Sequence, residues 1–168
     1  MEIILRPWSV KDLNNLVQYA NNFNISKYMT DKFPYPYTQK AGLDFIAFAN
    51  LDKPVHIFAI EIEGDAVGGI GVHLQTDIHQ KNAELGYWLA EPFWGKGIIT
   101  QAIQEIIPFA FNTYSINRLF ARPFGNNLAS QRVLEKTGFI LEARIANGLF
   151  KNGEYQDELI YAIRKEIQ

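Results

Sequence analysis

The residues best suited to chemistry lie mid-chain, where a strand-like segment runs into a glycine-containing loop and then into a helix. Gly95 and Gly97 frame Lys96, and a helical pattern begins at Ile98. Glycine lets the backbone turn tightly and approach a ligand without a side chain in between. The first turn of a helix adds unpaired N–H groups and a partial positive charge. Such a loop can hold a phosphate or pyrophosphate, with Lys96 supplying a cation and Thr100 a hydroxyl.

Two widely used phosphate-binding patterns do not match this loop. The chain lacks GxxxxGK[ST], and GxGxxG would need a third glycine where Thr100 stands. A GxG motif alone is weak evidence, because a strand-to-helix turn that binds nothing can have the same sequence. Ligand binding and a plain turn are therefore both open from this loop alone.

A second segment, NLASQRVLEKTGF at Asn127–Phe139, favours ligand binding. Together with ELGYWLAEPFWGKGIIT at Glu84–Thr100, it resembles the GNAT superfamily of acetyl-CoA-dependent N-acetyltransferases, most of all its ribosomal-protein N-terminal acetyltransferases. That branch carries E-x-G-Y-W-L, W-G-K-G, N-x-A-S and R-V-L-E-K-x-G-F in this order. The segment FPYPYT at Phe33–Thr38 also resembles the start of its second helix, so the resemblance covers nearly the whole chain.

The resemblance implies where acetyl-CoA binds. The strand that carries Trp88, Leu89 and Ala90 is implied to separate from its neighbour and to pair through its backbone with the pantetheine arm. Asn127 and Ser130 are implied to face the pantetheine and the thioester. The implied cofactor-binding residues are Trp88, Leu89, Ala90, Trp94, Gly95, Lys96, Gly97, Ile98, Ile99, Thr100, Asn127 and Ser130.

Two side chains are candidates for catalysis of acetyl transfer to an amine. Glu84, on the strand that leads to the cofactor, is the candidate base, and a backbone N–H near Leu89 or Ala90 could polarise the thioester carbonyl. Ser130 is the candidate donor to the departing sulfur. The alternatives are an ion pair between Glu84 and a surface cation, and a local hydrogen bond of Ser130 at the start of its own helix.

Two positions depart from the superfamily pattern. Pro92 stands where the pyrophosphate loop usually begins with Gln or Arg, so the phosphate seat is expected to rely on backbone donors and Lys96. Leu134 stands where many members carry a general-acid Tyr. The ribosomal-protein branch instead offers a Ser on the same helix, and Ser130 occupies that place.

The acceptor is expected to be a primary amine, with a protein N-terminus as first choice by resemblance. An α-amine has a pKa of about 7.7–8.0 against about 10.4 for lysine, so its deprotonation costs roughly 3 kcal/mol less. A small amine (a polyamine, an amino sugar or an antibiotic) is the alternative, and a coenzyme-A-binding sensor without turnover is another. The aromatic candidates for the acceptor wall, which could equally be core residues, are Tyr28, Phe33, Tyr35 and Tyr37.

Three carboxylates, Asp31, Glu142 and Asp157, could attract a cationic amine, although solvated surface positions explain them equally simply. Their arrangement bears on the acceptor, because acidic residues clustered in a cleft would favour a polyamine. A cleft wide enough for a peptide would favour a protein terminus.

Periodicity, capping residues and turn signals predict the elements that position these residues. Ser9, with Asp12 in a capping-box relation, is predicted to cap the first helix and Thr38 the second, and Asn152-Gly153 is a strong hairpin signal. Gly68, Gly69 and Gly71 indicate a bulge or a close backbone approach in the third strand. The predicted order βααβββαβαββ is typical of a mixed α/β sheet with helices on both faces. The resemblance specifies a GNAT-like, mostly antiparallel sheet of about seven strands, with strands 4 and 5 splayed. Strands are predicted at 3–7, 56–62, 66–74, 82–89, 118–122, 139–145 and 156–163, helices at 9–20, 38–50, 98–114 and 127–137, and an irregular segment at 23–38.

Composition limits the other classes of function. The 168 residues are 48% hydrophobic and 20% charged, which predicts one folded domain over 1–168. The net charge of −2 gives no nucleic-acid footprint, and without cysteine no disulfide can form. No metal site is expected, because His56, His73 and His79 lack ligand spacing. No signal peptide or membrane span is predicted, so we expect a cytoplasmic protein, either a monomer or a homodimer.

Overall fold

The computed structural model describes residues 1–166. Its sheet has seven strands in the order β1-β2-β3-β4-β5-β7-β6. The strands are β1 (Ile4–Pro7), β2 (Ile57–Ile62), β3 (Asp65–Leu74), β4 (Asn82–Leu89), β5 (Arg118–Ala121), β6 (Ile140–Lys151) and β7 (Glu154–Arg164). The α-helices are α1 (Leu13–Ala20), α2 (Phe23–Ser26), α3 (Gln39–Ala49), α4 (Ile98–Thr113) and α5 (Leu128–Lys136).

Strand pairing in the sheet is mostly antiparallel, as predicted. The pairs β1–β2, β2–β3, β5–β7 and β6–β7 are antiparallel, whereas β4 and β5 are parallel. The β4–β5 ladder joins Asn82–Glu84 to Arg118–Phe120, although β4 itself extends to Leu89. Parallel pairing that stops in mid-strand is the geometry expected of splayed strands.

The chain forms two compact units, each made of two separate segments of the sequence. The first contains Met1–Gly71 and Tyr87–Ala102. Within it, helices α1 and α3 pack against each other and cover an aromatic core that includes Trp8 and Trp88. Ser9 and Asp12 form the predicted capping box ahead of α1, and Thr38 caps α3 by accepting a hydrogen bond from the N–H of Ala41. The capping signals in the sequence are therefore confirmed.

A short helix replaces part of the predicted irregular segment. Asn22 accepts a hydrogen bond from the N–H of Asn24 at 2.9 Å and caps α2. The prolines at 34 and 36 exclude a helix only near themselves, so they do not prevent this turn further back. The interpretation of the whole segment as irregular was wrong at its first residues.

The second compact unit contains Val72–Gly86 and Ile103–Gln168. Its β6–β7 hairpin turns at Asn152 and Gly153, which have φ values of +53° and +78°. The strands on either side are longer than predicted. The reason is a register irregularity between Ile145 and Leu149, where Asn147 (φ +53°) leaves the regular strand conformation without ending β6.

Within residues 1–166, no helix is long and apolar enough to cross a membrane.

Candidate active site

The end of β4 is pressed against β3 at a pair of glycines. A Cβ on Gly68 would lie 2.5 Å from the carbonyl oxygen of Trp88, and a Cβ on Gly69 would lie 2.9 Å from its indole nitrogen. Beside them, the N–H of Ala90 donates to the carbonyl of Val67 at 2.8 Å. The predicted close approach of backbones at these glycines is confirmed. Because the N–H of Ala90 is used, Leu89 carries the better placed of the two candidate N–H groups.

Trp88 belongs to the core through its side chain. Its indole stacks on that of Trp8 at a centroid distance of 6.4 Å, and Phe33 meets it edge-on at 5.8 Å. Only 8% of Trp88 is exposed, so its backbone rather than its ring is the part that can serve a ligand.

The glycine loop combines a backbone conformation that favours glycine with open space beside it. Gly95 and Gly97 have φ values of +74° and +75°, and a Cβ on either would meet no atom within 4 Å. The carbonyl of Gly97 accepts the N–H of Gln101 at 3.0 Å, so the orphan N–H groups of α4 begin directly after this glycine. Open space beside a glycine backbone at a helix start fits the pyrophosphate that the sequence implies.

Two side chains of this loop have defined contacts. The Nε1–H of Trp94 donates to the carbonyl oxygen of Leu89 at 2.7 Å. The Nζ of Lys96 lies 5.4 Å from the ring centroid of Phe93, which is a cation–π distance. Lys96 is therefore a cation next to Gly95 and Gly97, as the sequence predicts.

Glu84 is held by Arg122, one strand away. The parallel ladder pairs Glu84 with Phe120, and two residues later Arg122 donates to the carboxylate at 2.8 and 3.3 Å. Burial lowers the pKa of Arg122, but the hydrogen bond and charge of Glu84, with the charge of Glu158, raise it on balance. The ion pair weighed as an alternative is present. It leaves the carboxylate 27% exposed, so the basic role stays a prediction.

Asn127 and Ser130 meet at the start of α5. Asn127 is the N-cap residue, and its Oδ1 accepts the backbone N–H of Ser130 at 3.3 Å. The Asn127 side-chain oxygen thus serves the helix, whereas its role toward pantetheine remains a prediction. Leu134, at the place where the resemblance would put a general-acid Tyr, is fully buried in the core.

The four aromatic acceptor candidates separate into two pairs. Phe33 and Tyr37 pack in the core, with Tyr37 only 5% exposed, and burial raises its pKa to about 12. Tyr35 is 55% exposed, and Tyr28 is half-buried with the Nζ of Lys27 5.2 Å from its ring centroid. Core packing therefore describes Phe33 and Tyr37, while Tyr28 and Tyr35 keep accessible surface.

Sequence reasoning missed a hydrogen-bonded cluster of Asn22, Asn24 and Glu91, which lies just before the glycine loop in the sequence at Glu91. The carboxylate of Glu91 accepts hydrogen bonds from the side-chain amides of Asn22 at 2.6 Å and Asn24 at 3.2 Å. These bonds lower the pKa of Glu91 below its usual range, with Asn22 contributing most. No sequence signal pairs residues almost 70 positions apart, and only the folded first unit brings them together.

A surface pocket of about 230 Å³ in the second unit was also not predicted. Asp157 accepts hydrogen bonds from Arg144 at 2.7 and 3.0 Å and from the N–H of Asn147 at 3.0 Å. These contacts, with the N–H of Asn147 foremost, lower the pKa of Asp157. The lining residues are Gly125, Asn126, Arg144, Tyr155, Gln156 and Asp157.

Among residues 1–166, no cluster of three or more His, Asp or Glu side chains could hold a metal ion. His56 is engaged with Asp52, with Nε2 and Oδ2 2.8 Å apart.

Comparison with known proteins agrees with the fold and the motifs. The family model described as "Acetyltransferase (GNAT) domain" matches residues 2–140. YdaF of Bacillus subtilis is 37% identical over 103 residues, 61% of this chain and 56% of YdaF. The ribosomal-protein-serine acetyltransferase of Escherichia coli is 34% identical over 63% of this chain and 59% of its own. Spermidine N(1)-acetyltransferase of Escherichia coli is 25% identical over 92% of this chain and 82% of its own.

Solved structures extend the match to the whole fold. The microcin C7 self-immunity acetyltransferase MccE, in complex with acetyl-CoA and AMP, has a TM-score of 0.85 at 26% identity. It covers 98% of this chain and 93% of its own. The chain therefore belongs to the GNAT acetyltransferase family. This chain spans just over half the length of YdaF.

Proposed function

We propose that the protein is an acetyl-CoA-dependent N-acetyltransferase that acetylates the α-amine of a protein N-terminus. The observation that carries the proposal is the loop of Gly95 and Gly97, open on its ligand side and followed by the first turn of α4. Membership of the GNAT family supports acetyl-CoA as the group that this loop holds. The complex of MccE with acetyl-CoA adds support from a relative of the same fold.

Residues 89–100 supply the donor site in this proposal. Backbone N–H groups from Gly95 to Thr100 would hold the pyrophosphate, with Lys96 as the nearby cation. The N–H of Leu89 would polarise the thioester carbonyl. Ala90 cannot share that work easily, because its N–H already donates to Val67.

Glu84 and Ser130 are the proton-handling groups in this proposal. Glu84 would accept the amine proton, directly or through water, while Arg122 holds its carboxylate in place. Ser130 would donate to the departing thiolate. The amine proton thus ends on Glu84 or solvent, the new bond joins the amine nitrogen to the acetyl carbon, and the carbon–sulfur bond breaks.

Charge compensation at two of the candidate carboxylates supports a peptide acceptor over a polyamine. Asp157 is already paired with Arg144, and Glu142 with Arg118 and Arg164, so both carboxylates carry compensating cations. A polyamine site needs carboxylates whose charge is not already compensated. The similarity to a ribosomal-protein acetyltransferase agrees with this choice.

A small-amine acetyltransferase is the second candidate, favoured by the similarity to spermidine N(1)-acetyltransferase over most of the chain. Thiol release from acetyl-CoA, followed with a panel of acceptors, separates these functions. We expect turnover with short peptides that have a free N-terminus and none with the same peptides blocked by acetylation. Turnover with spermidine but not with any peptide would overturn the protein-terminus proposal. Binding of acetyl-CoA without turnover on any amine would overturn both acetyltransferase functions and favour a coenzyme-A-binding sensor.

A further inference from the structure

Trp94 has a side-chain contact that cofactor binding does not require. The Trp94 side chain folds back toward the start of the loop formed by residues 90–94. Its indole N–H donates to the carbonyl of Leu89, the last residue of β4, at 2.7 Å. The loop also closes on itself, because the N–H of Phe93 donates to Ala90 and the N–H of Trp94 to Glu91. With 44% of Trp94 exposed, burial alone does not explain the fixed position of this ring.

The peptide group between Leu89 and Ala90 is consequently held at both ends. Its carbonyl accepts from Trp94 at 2.7 Å, and its N–H donates to Val67 at 2.8 Å. A peptide group is planar, so two hydrogen bonds on opposite sides determine its orientation. The neighbouring peptide, which carries the N–H of Leu89, shares the Cα of Leu89 and is braced by the close approach at Gly68.

We propose that Trp94 is a positioning residue: its indole N–H orients the end of β4 so that the N–H of Leu89 meets the thioester carbonyl of acetyl-CoA. This inference rests on the proposed function, in which Leu89 polarises that carbonyl. It gives Trp94 a role distinct from contact with the cofactor. Loss of the indole N–H then weakens polarisation and turnover while leaving cofactor affinity nearly unchanged, because the seat of Gly95–Thr100 is intact.

Trp94→Phe tests the inference, because the variant keeps an aromatic ring and loses the N–H. Infrared spectra of acetyl-CoA labelled with ¹³C at the acetyl carbonyl, bound to the protein without acceptor, report polarisation directly. In the unaltered protein, the bound band should lie below that of free acetyl-CoA. In Trp94→Phe, at least half of that displacement should be lost, kcat should fall about 10-fold, and the acetyl-CoA Kd should change less than about 3-fold.

Phe93→Leu is the matched control. Phe93 lies in the same loop, contacts the ring of Tyr19 and has its ring centroid 5.4 Å from the Nζ of Lys96, but it has no side-chain N–H to donate. At saturating acetyl-CoA this variant should therefore keep the band position, even where loss of the contact with Lys96 raises the Kd. A Trp94→Phe variant with an unchanged band overturns the inference, whether its acetyl-CoA affinity falls or not. Failure of the unaltered protein to bind acetyl-CoA at all would instead overturn the proposed function.

A measurement on the unaltered protein keeps the inference testable if Trp94→Phe does not fold. Proton exchange of the Trp94 indole N–H, followed by NMR, should be slower than for a free indole despite the exposed ring. Exchange at the rate of free indole would show that the bond to Leu89 does not persist, and would overturn the inference.

Discussion

Gly97→Ala tests two possible reasons for a glycine at position 97: its backbone conformation, and the room that it leaves for a ligand. At φ +75°, an alanine costs about 1–2 kcal/mol relative to glycine, whatever is bound. For a chain of this length, that lowers Tm by about 2–8 °C. The new Cβ meets nothing within 4 Å, so the unliganded fold suffers no further clash. A pyrophosphate held against this backbone would meet the Cβ.

Thermal unfolding with and without acetyl-CoA distinguishes these effects. At a concentration 100-fold above Kd, acetyl-CoA should stabilise the unaltered protein by about 2.7 kcal/mol and raise Tm by about 5–11 °C. If Gly97→Ala weakens binding 100-fold, the gain at the same concentration falls to about 0.4 kcal/mol.

Gly153→Ala is the control, because Gly153 lies in the β6–β7 turn with φ +78° and equally open surroundings. It should lose similar stability and retain the full response to acetyl-CoA. A full acetyl-CoA shift in Gly97→Ala would refute the claim that the ligand lies against Gly97.

Three further variants test catalysis and stability. Glu84→Gln can still accept a hydrogen bond from Arg122, so we expect a rate loss of about 10²-fold or less near neutral pH. That loss should shrink as pH rises, and a constant deficit from about pH 7 to 10 would mean that Glu84 only positions substrate. Ser130→Ala should lower kcat about 10- to 10³-fold, measured well below its Tm, and an unchanged kcat would make Ser130 structural. Burial opposes ionisation of Asp12, but hydrogen bonds from Arg6 and the N–H of Ser9 lower its pKa overall. Its stabilisation is therefore complete above the unfolded value of about 3.9 and is lost as pH falls through the folded value. Asp12→Asn should be less stable at pH 7 by about 1–3 kcal/mol, with a flatter acid limb in denaturant titrations.

Local signals were sufficient for most of the elements. Thr38 starts α3 where the sequence predicts a helix, because a cap acts over three or four residues. Ser9 caps a 3-10 turn at Val10–Asp12, and α1 itself begins only at Leu13. The turn at Asn152–Gly153 likewise forms as predicted. The β6–β7 strands were underestimated, because Asn147 and Gly148 have the composition of a turn. A strand held by its neighbour can instead absorb them as an irregularity.

The sequence by itself determined the backbone conformation of the loop at Gly95–Gly97 and the helix start that follows it. Glycines at 95 and 97 adopt the positive φ that only glycine accepts readily, and the helix start follows at once. These properties depend on contiguous residues, so their order along the chain is enough to predict them.

Only the tertiary structure decided which of the candidate groups already bond to or pack against other parts of the protein. Gly68 packs against the backbone of Trp88, and the carbonyl of Val67 accepts the N–H of Ala90. The indole N–H of Trp94 donates to the Leu89 carbonyl, and Arg122 donates to the carboxylate of Glu84. Three of these four pairs join residues 20 or more positions apart, and contacts at that separation are set by strand register and packing. A sequence shows which donors and acceptors could act on a substrate, but the fold determines which of them are already hydrogen-bonded within the protein.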